Sequence, residues 1–249
     1  MKALAARALG AARALAGWRC PCCLAAQERE GLCARCAGLL TPRAKGYCPG
    51  CGELTPVADQ EPTLCLRCRE TPRPWDALGF YGAYGGALRE CLLRFKFGGS
   101  HSGQAFLTGL MRQAYELHRQ RPGGMDPRGP ELVCAVPVHW RRLVSRGFNQ
   151  SFELAKGLGR ALGAPVPADA LRKVRATGPQ SRLGARERAV NLKGAFEADP
   201  ALVSGRRALL VDDVMTTGST LEAASKALRG AGCARVEVLV LARDEKIGG

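Results

Sequence analysis

The chain has 249 residues, a formal net charge of +15, twelve cysteines and 6% aromatic residues. With 46% hydrophobic and 24% charged residues it is neither disordered nor fibrous, and its length suits one domain of ordinary size plus a smaller one. Its apolar runs are far shorter than the ~18 residues that a transmembrane helix needs, so the sequence predicts no membrane span.

The first seventeen residues are rich in alanine and leucine, but Arg7 and Arg13 interrupt them and leave five apolar residues at most between them. A secretory signal needs roughly 7 to 15 uninterrupted apolar residues. We therefore predict a short amphipathic helix that packs against the following domain, with an interfacial membrane anchor as the alternative. Without a secretory signal, the expected location is the cytoplasm.

Nine of the twelve cysteines lie between Cys20 and Cys68. Eight of them form four Cys-x-x-Cys pairs: Cys20/Cys23, Cys33/Cys36, Cys48/Cys51 and Cys65/Cys68. Two such pairs complete one tetrahedral structural Zn²⁺ site, so four pairs predict two zinc ions. Consecutive and interleaved pairing both satisfy the metal, and the additional Cys22 can replace Cys20 or Cys23.

A disulfide framework is the alternative interpretation, but it requires an oxidising compartment and hence secretion. Residues 1–76 hold few large apolar residues and many prolines and glycines, so metal binding would supply much of their folding free energy. We predict that residues 1–76 form an N-terminal helix and a zinc module, that chelation unfolds this module while sparing the rest, and that residues 77–249 form a second domain. Cys91, Cys134 and Cys233 are predicted core residues.

Residues 77–249 alternate between short β-branched runs and helical patterns. Strands are predicted at 77–84, 132–136, 208–211 and 236–241, and helices at 86–97, 103–119, 149–162 and 219–230. This alternation predicts an α/β fold with a parallel sheet that helices cover on both faces. Ligands of such a sheet bind at the carboxyl ends of its strands.

The most informative motif follows the predicted strand 208–211. Two acids, Asp212 and Asp213, come directly after the strand, and a turn of small residues then opens a helix. The residues of that turn are Thr216, Thr217, Gly218, Ser219 and Thr220. Backbone amides at a helix N-terminus suit a phosphate monoester, and the acids suit ribose hydroxyls or Mg²⁺. The motif therefore predicts a pocket for a 5-phosphorylated ribose, with a Rossmann-like turn as the alternative.

More than half of the net positive charge lies in residues 141–193, which hold twelve Lys/Arg and three Asp/Glu. Such a focus suits a polyphosphate, because arginine forks can clamp a pyrophosphate group. The residues in or next to this stretch that are candidates to bind the polyphosphate are His139, Arg141, Arg142, Arg186 and Arg188. Residues 172–193 also contain glycines, which favour a mobile lid over the alternative of a solvated helix face.

Together these motifs resemble the ComF/GntX family over residues 18–242. Besides the cysteine pairs, the resemblance rests on Lys96-Phe97, residues 146–150 (RGFNQ), Gln180, Arg186, Arg188, Asn191, and residues 212–220. It implies a double zinc ribbon followed by a type I phosphoribosyltransferase domain that binds phosphoribosyl pyrophosphate (PRPP) with Mg²⁺.

By this resemblance, Asp212 and Asp213 are catalytic residues that bind the ribose, residues 216–220 bind the 5-phosphate, and the loop at residues 139–142 binds the pyrophosphate. The family implies phosphoribosyl transfer to an acceptor that it does not identify. It also implies a link to natural competence, with single-stranded DNA or competence proteins as partners. The alternative function is a non-catalytic PRPP-sensing or DNA-handling factor that uses the zinc ribbons for docking.

Overall fold

The computed structural model describes residues 17–29, 31–98, 101–138, 149–175 and 192–244. The N-terminal helix predicted from the sequence falls almost entirely outside these ranges. The described residues before position 77, which we call the cysteine-rich part, contain an antiparallel strand pair and two short helices: β1 (Trp18–Arg19), β2 (Ala26–Gln27), α1 (Ala34–Leu39) and α2 (Leu66–Glu70).

The described residues after this part alternate between strands and helices. The strands are β3 (Ala77–Ala83), β4 (Leu132–Ala135), β5 (Leu171–Lys173), β6 (Phe196–Ala198), β7 (Arg207–Met215) and β8 (Arg235–Arg243). The helices are α3 (Gly86–Gly98), α4 (His101–Arg119), α5 (Gln150–Leu162), α6 (Pro200–Val203) and α7 (Ser219–Gly230). The sequence pattern does not predict the short elements β5, β6 and α6. Among the described helices, none has both the length and the apolar character to span a membrane.

Four strands form one parallel sheet in the order β3, β8, β7, β4, which confirms the predicted fold class. Leu78, Val238, Leu210 and Cys134 lie opposite one another in a row across the four strands. All four side chains are buried, in keeping with strands that are covered on both faces. The last described strand, β8, lies inside the sheet, between β3 and β7.

Each face of the sheet carries its own apolar core. On one face, α4 and α5 bury Met111 and Leu154 against the strands. On the other face, α7 buries Leu221 and Leu228, beside the antiparallel pair formed by β5 and β6. Full burial of a leucine side chain contributes about 1.5 to 3 kcal/mol, so these two layers supply much of the stability of the fold.

Strand β7 is longer than its apolar pattern predicts, because it continues to Met215 instead of ending at Val211. Asp212, Val214 and Met215 remain paired with residues of β8. Backbone pairing does not require an apolar side chain, which is why the hydrophobic run ends four residues before the strand does. The two acids consequently lie within the last residues of the strand.

The cysteine-rich part packs directly on the α/β core. The Tyr47 hydroxyl lies 3.2 Å from His118 Nδ1, and its ring meets Phe80 edge-on with centroids 5.0 Å apart. On the other side of the sheet, the Tyr81 hydroxyl donates a hydrogen bond to the carbonyl of Leu40 at 2.6 Å. Both apolar cores therefore include residues from before position 77. The division into domains at residues 76 and 77 stays a prediction.

Candidate functional site

Two carboxylates lie at the carboxyl edge of the sheet, near the end of β7. The Ser151 hydroxyl, in the first turn of α5, donates a hydrogen bond to Asp212 Oδ1 at 2.6 Å. The same oxygen accepts the backbone N–H of Asp213 at 2.9 Å. Helix α5 is capped by Asn149, whose side chain accepts the N–H of Ser151 at 3.1 Å. The cap fixes the start of the helix and so holds Ser151 beside the acid.

Asp213 forms an ion pair with Lys96 of α3, with Nζ 2.8 Å from Oδ2. Its other oxygen accepts the backbone N–H of Val214 at 2.7 Å. Burial opposes the charged form of the Lys96 ammonium, but the carboxylates of Asp213 and Asp212 outweigh it and raise the pKa of Lys96. Lys96 thereby supplies one fixed positive charge to the acid pair.

The environment of Asp212 disfavours its charged form. Burial raises the pKa of this carboxyl to about 7, and the neighbouring Asp213 adds to the rise, whereas the Ser151 hydrogen bond lowers it. A group with such a pKa gains or loses its proton near neutrality. A perturbed carboxyl in a cavity is typical of functional sites, because a ligand that brings a cation or hydroxyl donors can restore its charge.

The raised pKa of Asp212 predicts a dependence of stability on pH. A carboxyl whose pKa rises on folding, here from 3.8 to about 7, destabilises the folded state as pH increases through that interval. We expect Asp212→Asn to gain about 1 to 2 kcal/mol of unfolding free energy relative to the unmodified protein as pH rises from about 5 to about 7, with little further gain above about pH 8.

Urea unfolding at several pH values measures this difference. The control is Asp169→Asn, which changes an exposed acid outside the pair and for which the difference should stay flat. A flat difference for Asp212→Asn would contradict the burial of a titrating carboxyl at this position.

Residues 216–220 comprise the turn after β7 and the first two residues of α7, and we call them the 216–220 loop. Gly218 begins the helix with a left-handed backbone at φ +81°, and a Cβ added there would lie 2.6 Å from Met215 Cε. The left-handed conformation therefore favours glycine, whereas the Met215 methyl is the end of a flexible side chain and does not by itself exclude a Cβ. The hydroxyls of Thr217 and Ser219 lie 2.9 Å apart. A cavity of ≈ 30 Å³ is lined by Asp212 and residues 214–221.

This cavity joins two kinds of polar group. On one side are the backbone amides of the first turn of α7, which have no carbonyl partner within the helix and lie at the positive end of its dipole. On the other side is Asp212, which accepts hydrogen bonds. The arrangement suits a ligand that presents an anionic group to the loop and hydroxyls to the acid. The structure thus brings Asp212 and all five predicted loop residues to one cavity.

The eight paired cysteines form two clusters, and each cluster consists of two Cys-x-x-Cys pairs that follow one another in the sequence. The first contains Cys20, Cys23, Cys33 and Cys36, and the second contains Cys48, Cys51, Cys65 and Cys68, with the sulfurs of each cluster within 4.8 Å of one another. Sulfurs of Cys23 and Cys33 are 3.6 Å apart, and those of Cys51 and Cys65 are 3.8 Å apart. Tetrahedral Zn–S bonds of ~2.3 Å require a separation of about 3.8 Å, so both clusters can hold zinc.

Backbone donors prepare one sulfur in each cluster for a metal. Burial opposes the Cys20 thiolate, but backbone N–H groups, including that of Cys33 at 3.5 Å, outweigh it and lower the pKa of Cys20 to about 6. The hydrogen bond from the Cys51 thiol, together with the Cys65 N–H at 3.3 Å, lowers the pKa of Cys48 to about 4. Thiolates are the form that binds Zn²⁺.

Cys22 lies outside both clusters. Its thiol donates to the carbonyl of Ala87 at 3.3 Å, and burial raises the pKa of Cys22 to about 12. A buried environment that favours the protonated thiol is typical of a core residue rather than of a metal ligand. Cys91, Cys134 and Cys233 are likewise buried, as expected for core residues.

Several predicted site residues lie outside the described ranges, namely His139, Arg141, Arg142, Arg186 and Arg188. Conversely, the structure adds Ser151 and Lys96, to which the sequence motif assigns no role. Both residues belong to helices that follow parallel strands, Ser151 after β4 and Lys96 after β3. The first turn of such a helix lies at the carboxyl edge of a parallel sheet, so the predicted topology could have indicated Ser151, whereas Lys96 lies near the end of α3 and this signal does not point to it.

The sequence is similar to known proteins over most of its length. A family model described as "Phosphoribosyl transferase domain" matches residues 148–247. DNA utilization protein YhgH of Salmonella typhimurium is 36% identical over 227 residues, which cover 91% of this chain and 96% of the relative. Competence protein F of Haemophilus influenzae is 33% identical over 218 residues, which cover 86% of this chain and 91% of the relative.

Among solved structures, one described as the allosteric regulatory enzyme of purine biosynthesis matches 55% of this chain and 25% of its own chain, with 22% identity and a TM-score of 0.37.

Proposed function

The chain belongs to the ComF family of phosphoribosyltransferase-like proteins linked to DNA utilization and competence, and we propose that it binds PRPP with Mg²⁺ and transfers the phosphoribosyl group to an acceptor. The observation that carries this proposal is the shared cavity of Asp212 and the 216–220 loop at the end of β7. In this small cavity, the start of α7 suits the phosphate end of a ribose 5-phosphate, and Asp212 suits the end that carries the ribose hydroxyls. The match of the phosphoribosyl transferase model over residues 148–247 supports the same ligand class.

In this proposal the amides and hydroxyls of the 216–220 loop bind the 5-phosphate, and Asp212 and Asp213 accept hydrogen bonds from the ribose hydroxyls. Ser151 orients Asp212, and Lys96 offsets the charge of Asp213. Carboxylate oxygens are ligands that Mg²⁺ takes readily, so the acid pair also fits a metal that arrives with PRPP. When bound, Mg²⁺ would neutralise charge on the departing pyrophosphate.

The proposed reaction breaks the bond between ribose C1 and a pyrophosphate oxygen, which leaves with the electron pair. A nucleophilic atom of the acceptor forms the new bond to C1 and releases its proton to solvent. The protein mainly holds the reactants in position and stabilises the charge that develops. His139, Arg141 and Arg142 are proposed to bind the pyrophosphate, and Arg186 and Arg188 are proposed to cover it.

We also propose that each cysteine cluster holds one structural Zn²⁺ and that the protein resides in the cytoplasm. Twelve free thiols fit a compartment that keeps cysteines reduced. The closed four-sulfur sites leave no position for a reacting ligand, so the metal contributes folding free energy rather than chemistry.

Calorimetry with the full chain tests the binding step. We expect Mg²⁺-PRPP to bind more tightly than ribose 5-phosphate or pyrophosphate alone, because only PRPP occupies the loop, the acids and the pyrophosphate site together. Binding should strengthen as pH rises through about 7, since the ligand favours the ionised form of Asp212. Equal and weak binding of all three compounds would overturn the proposal. Release of pyrophosphate with a panel of bases and amines then tests turnover.

A second candidate function is a PRPP-sensing or DNA-handling factor without turnover, with the zinc module as the docking part. It is favoured by the names of the relatives, which refer to DNA utilization and competence, and by the basic stretch at residues 141–193. Tight PRPP binding without pyrophosphate release would favour this candidate. Binding to single-stranded DNA that weakens steeply with salt would add the DNA role, and no binding at low salt would remove it.

A further inference from the structure

One arginine side chain connects the second cysteine cluster to the 216–220 loop. Arg243, the last residue of β8, donates from Nε to the carbonyl of Cys51 at 3.1 Å. Its Nη1 donates to the carbonyl of Met215 at 3.2 Å and to that of Thr216. A cluster cysteine and the start of the loop are therefore held by the same guanidinium group.

The middle of the loop lies close to a second residue that contacts the same cluster. Trp75 donates from Nε1 to the carbonyl of Gly50, between Cys48 and Cys51, at 2.9 Å. Its ring lies beside Gly218, since a Cβ added to that glycine would lie 3.6 Å from Cη2. The segment that carries Cys48 and Cys51 is thus linked to the loop at Thr216 through Arg243 and near Gly218 through Trp75.

The first cysteine cluster has different neighbours. Cys22, which lies between its ligands Cys20 and Cys23, donates to Ala87 at the start of α3. Its buried members Cys20 and Cys36 belong to the apolar core on the opposite face of the sheet from Trp75 and Met215. Of the two clusters, the second is the one whose segment contacts the loop through Arg243 and Trp75.

Peptide geometry gives these carbonyl contacts a directional effect. A peptide unit is planar and trans, so its C=O and its N–H point in opposite directions. When Arg243 holds the carbonyls of Met215 and Thr216, the N–H groups of Thr216 and Thr217 must point away from the arginine. The backbone N–H of Asp244 also holds the Met215 carbonyl, at 2.8 Å, so Arg243 mainly sets the orientation of the Thr217 N–H, through the Thr216 carbonyl.

From these contacts we propose that Arg243 is a positioning residue, which orients the amides of the 216–220 loop for a phosphate group and makes the second cysteine cluster, but not the first, a support of the binding site. The inference rests on the proposed function in that it takes phosphate as the ligand of the loop. It assigns Arg243 a role through the protein backbone, because Nε and Nη1 donate to carbonyl groups of the protein.

The test compares Arg243→Gln with the unmodified full chain by hydrogen exchange and by calorimetry with inorganic phosphate and Mg²⁺-PRPP. The amides that report on the loop are those of Glu222 and Asp244, which donate to the carbonyls of Gly218 and Met215 at 2.9 and 2.8 Å. We expect both to exchange about 10-fold faster in the variant, and phosphate and PRPP to bind about 10-fold more weakly, since several hydrogen bonds to a charged group are lost. The amides of α5 should keep their exchange rates. Acceleration shared equally by α5 would indicate global loosening and would overturn the positioning role.

Two further variants separate the positioning role of Arg243 from the effect of its charge and from general loss of stability. Arg243→Lys keeps the charge but lacks the planar fork that bridges two carbonyl groups, so it should not restore the loop. Full restoration by lysine would overturn the proposal in favour of simple attraction between charges. Arg235→Gln is the matched control: it removes an arginine at the other end of β8, which bonds Glu237 and Gly124, and should leave the exchange of the two reporting amides unchanged.

Hydrogen exchange needs no ligand, so the two proposals can fail separately. If the unmodified protein binds neither phosphate nor PRPP, the proposed function fails, and the exchange rates still decide the role of Arg243. If PRPP binds but Arg243→Gln leaves both affinity and exchange unchanged, only the positioning role is overturned.

Discussion

Removing both carboxylates from the end of β7, in Asp212→Ala/Asp213→Ala, is expected to weaken the binding of Mg²⁺-PRPP more than ~10-fold, because hydrogen bonds to charged groups are worth about 1.5 to 3 kcal/mol each. Charge alone predicts the opposite result, since loss of two negative charges reduces repulsion toward a polyanion. The sign of the effect therefore separates direct contact with the ribose or its metal from a general electrostatic influence. Calorimetry at a fixed salt concentration provides the measurement.

The matched control for this variant is Glu116→Ala/Glu131→Ala. It also removes two negative charges, but from side chains that are about 40% exposed, Glu116 near the end of α4 and Glu131 directly before β4, at the opposite edge of the sheet. The control should bind PRPP as well as the unmodified protein or slightly better. If the Asp212 and Asp213 variant also gained affinity, the assignment of the acid pair to the ribose would be wrong.

The second large effect is expected when a chelator removes zinc from the two cysteine clusters. Structural zinc contributes about 10 to 16 kcal/mol in zinc-finger peptides, so its removal should unfold the cysteine-rich part and lower the melting temperature of the whole protein by more than about 10 °C. The sequence alone predicts that chelation spares the α/β part. The structure revises this expectation, because Tyr47 and Leu40 contribute to the two cores of that part.

Elemental analysis and thermal unfolding test the zinc sites. The unmodified protein should contain two zinc ions per chain, whereas Cys23→Ser and Cys51→Ser should each lose one. Cys233→Ser is the control, since this buried thiol donates to backbone carbonyls and belongs to neither cluster. Protein purified without chelators that contains no zinc would contradict the assignment, and so would an unchanged melting temperature after complete metal removal.

The fold and the loop motif could be predicted from the sequence because their signals are local. Short apolar runs between helices predict a parallel sheet, and the small residues around Gly218 predict a helix start with an unusual backbone, which the φ of +81° bears out. The pairing of cysteine clusters is different. Four equal spacings satisfy two metals in either pairing, so only the path of the chain between them decides which cysteines meet.

The partners of the acids could not be read from local patterns, since they come from distant parts of the chain. Lys96 and Ser151 reach Asp213 and Asp212 only because α3 and α5 both pack beside the end of β7. The contact between Arg243 and Cys51 spans almost the whole described chain. Such contacts form only in the assembled sheet, so a sequence pattern cannot predict them unless the order of the strands is known.

The position of β8 inside the sheet has a consequence for the order of folding. During synthesis, the cysteine clusters, β3 and β7 all leave the ribosome before β8, which pairs with both β3 and β7. Until then β3 has no neighbour and β7 has an open edge, and pairing over such sequence distances is intrinsically slow. Arg243 is the last residue of that strand, so the 216–220 loop gains this support only after β8 has paired. A nascent chain can therefore bring the eight paired cysteines together long before β8 completes the sheet beside the loop.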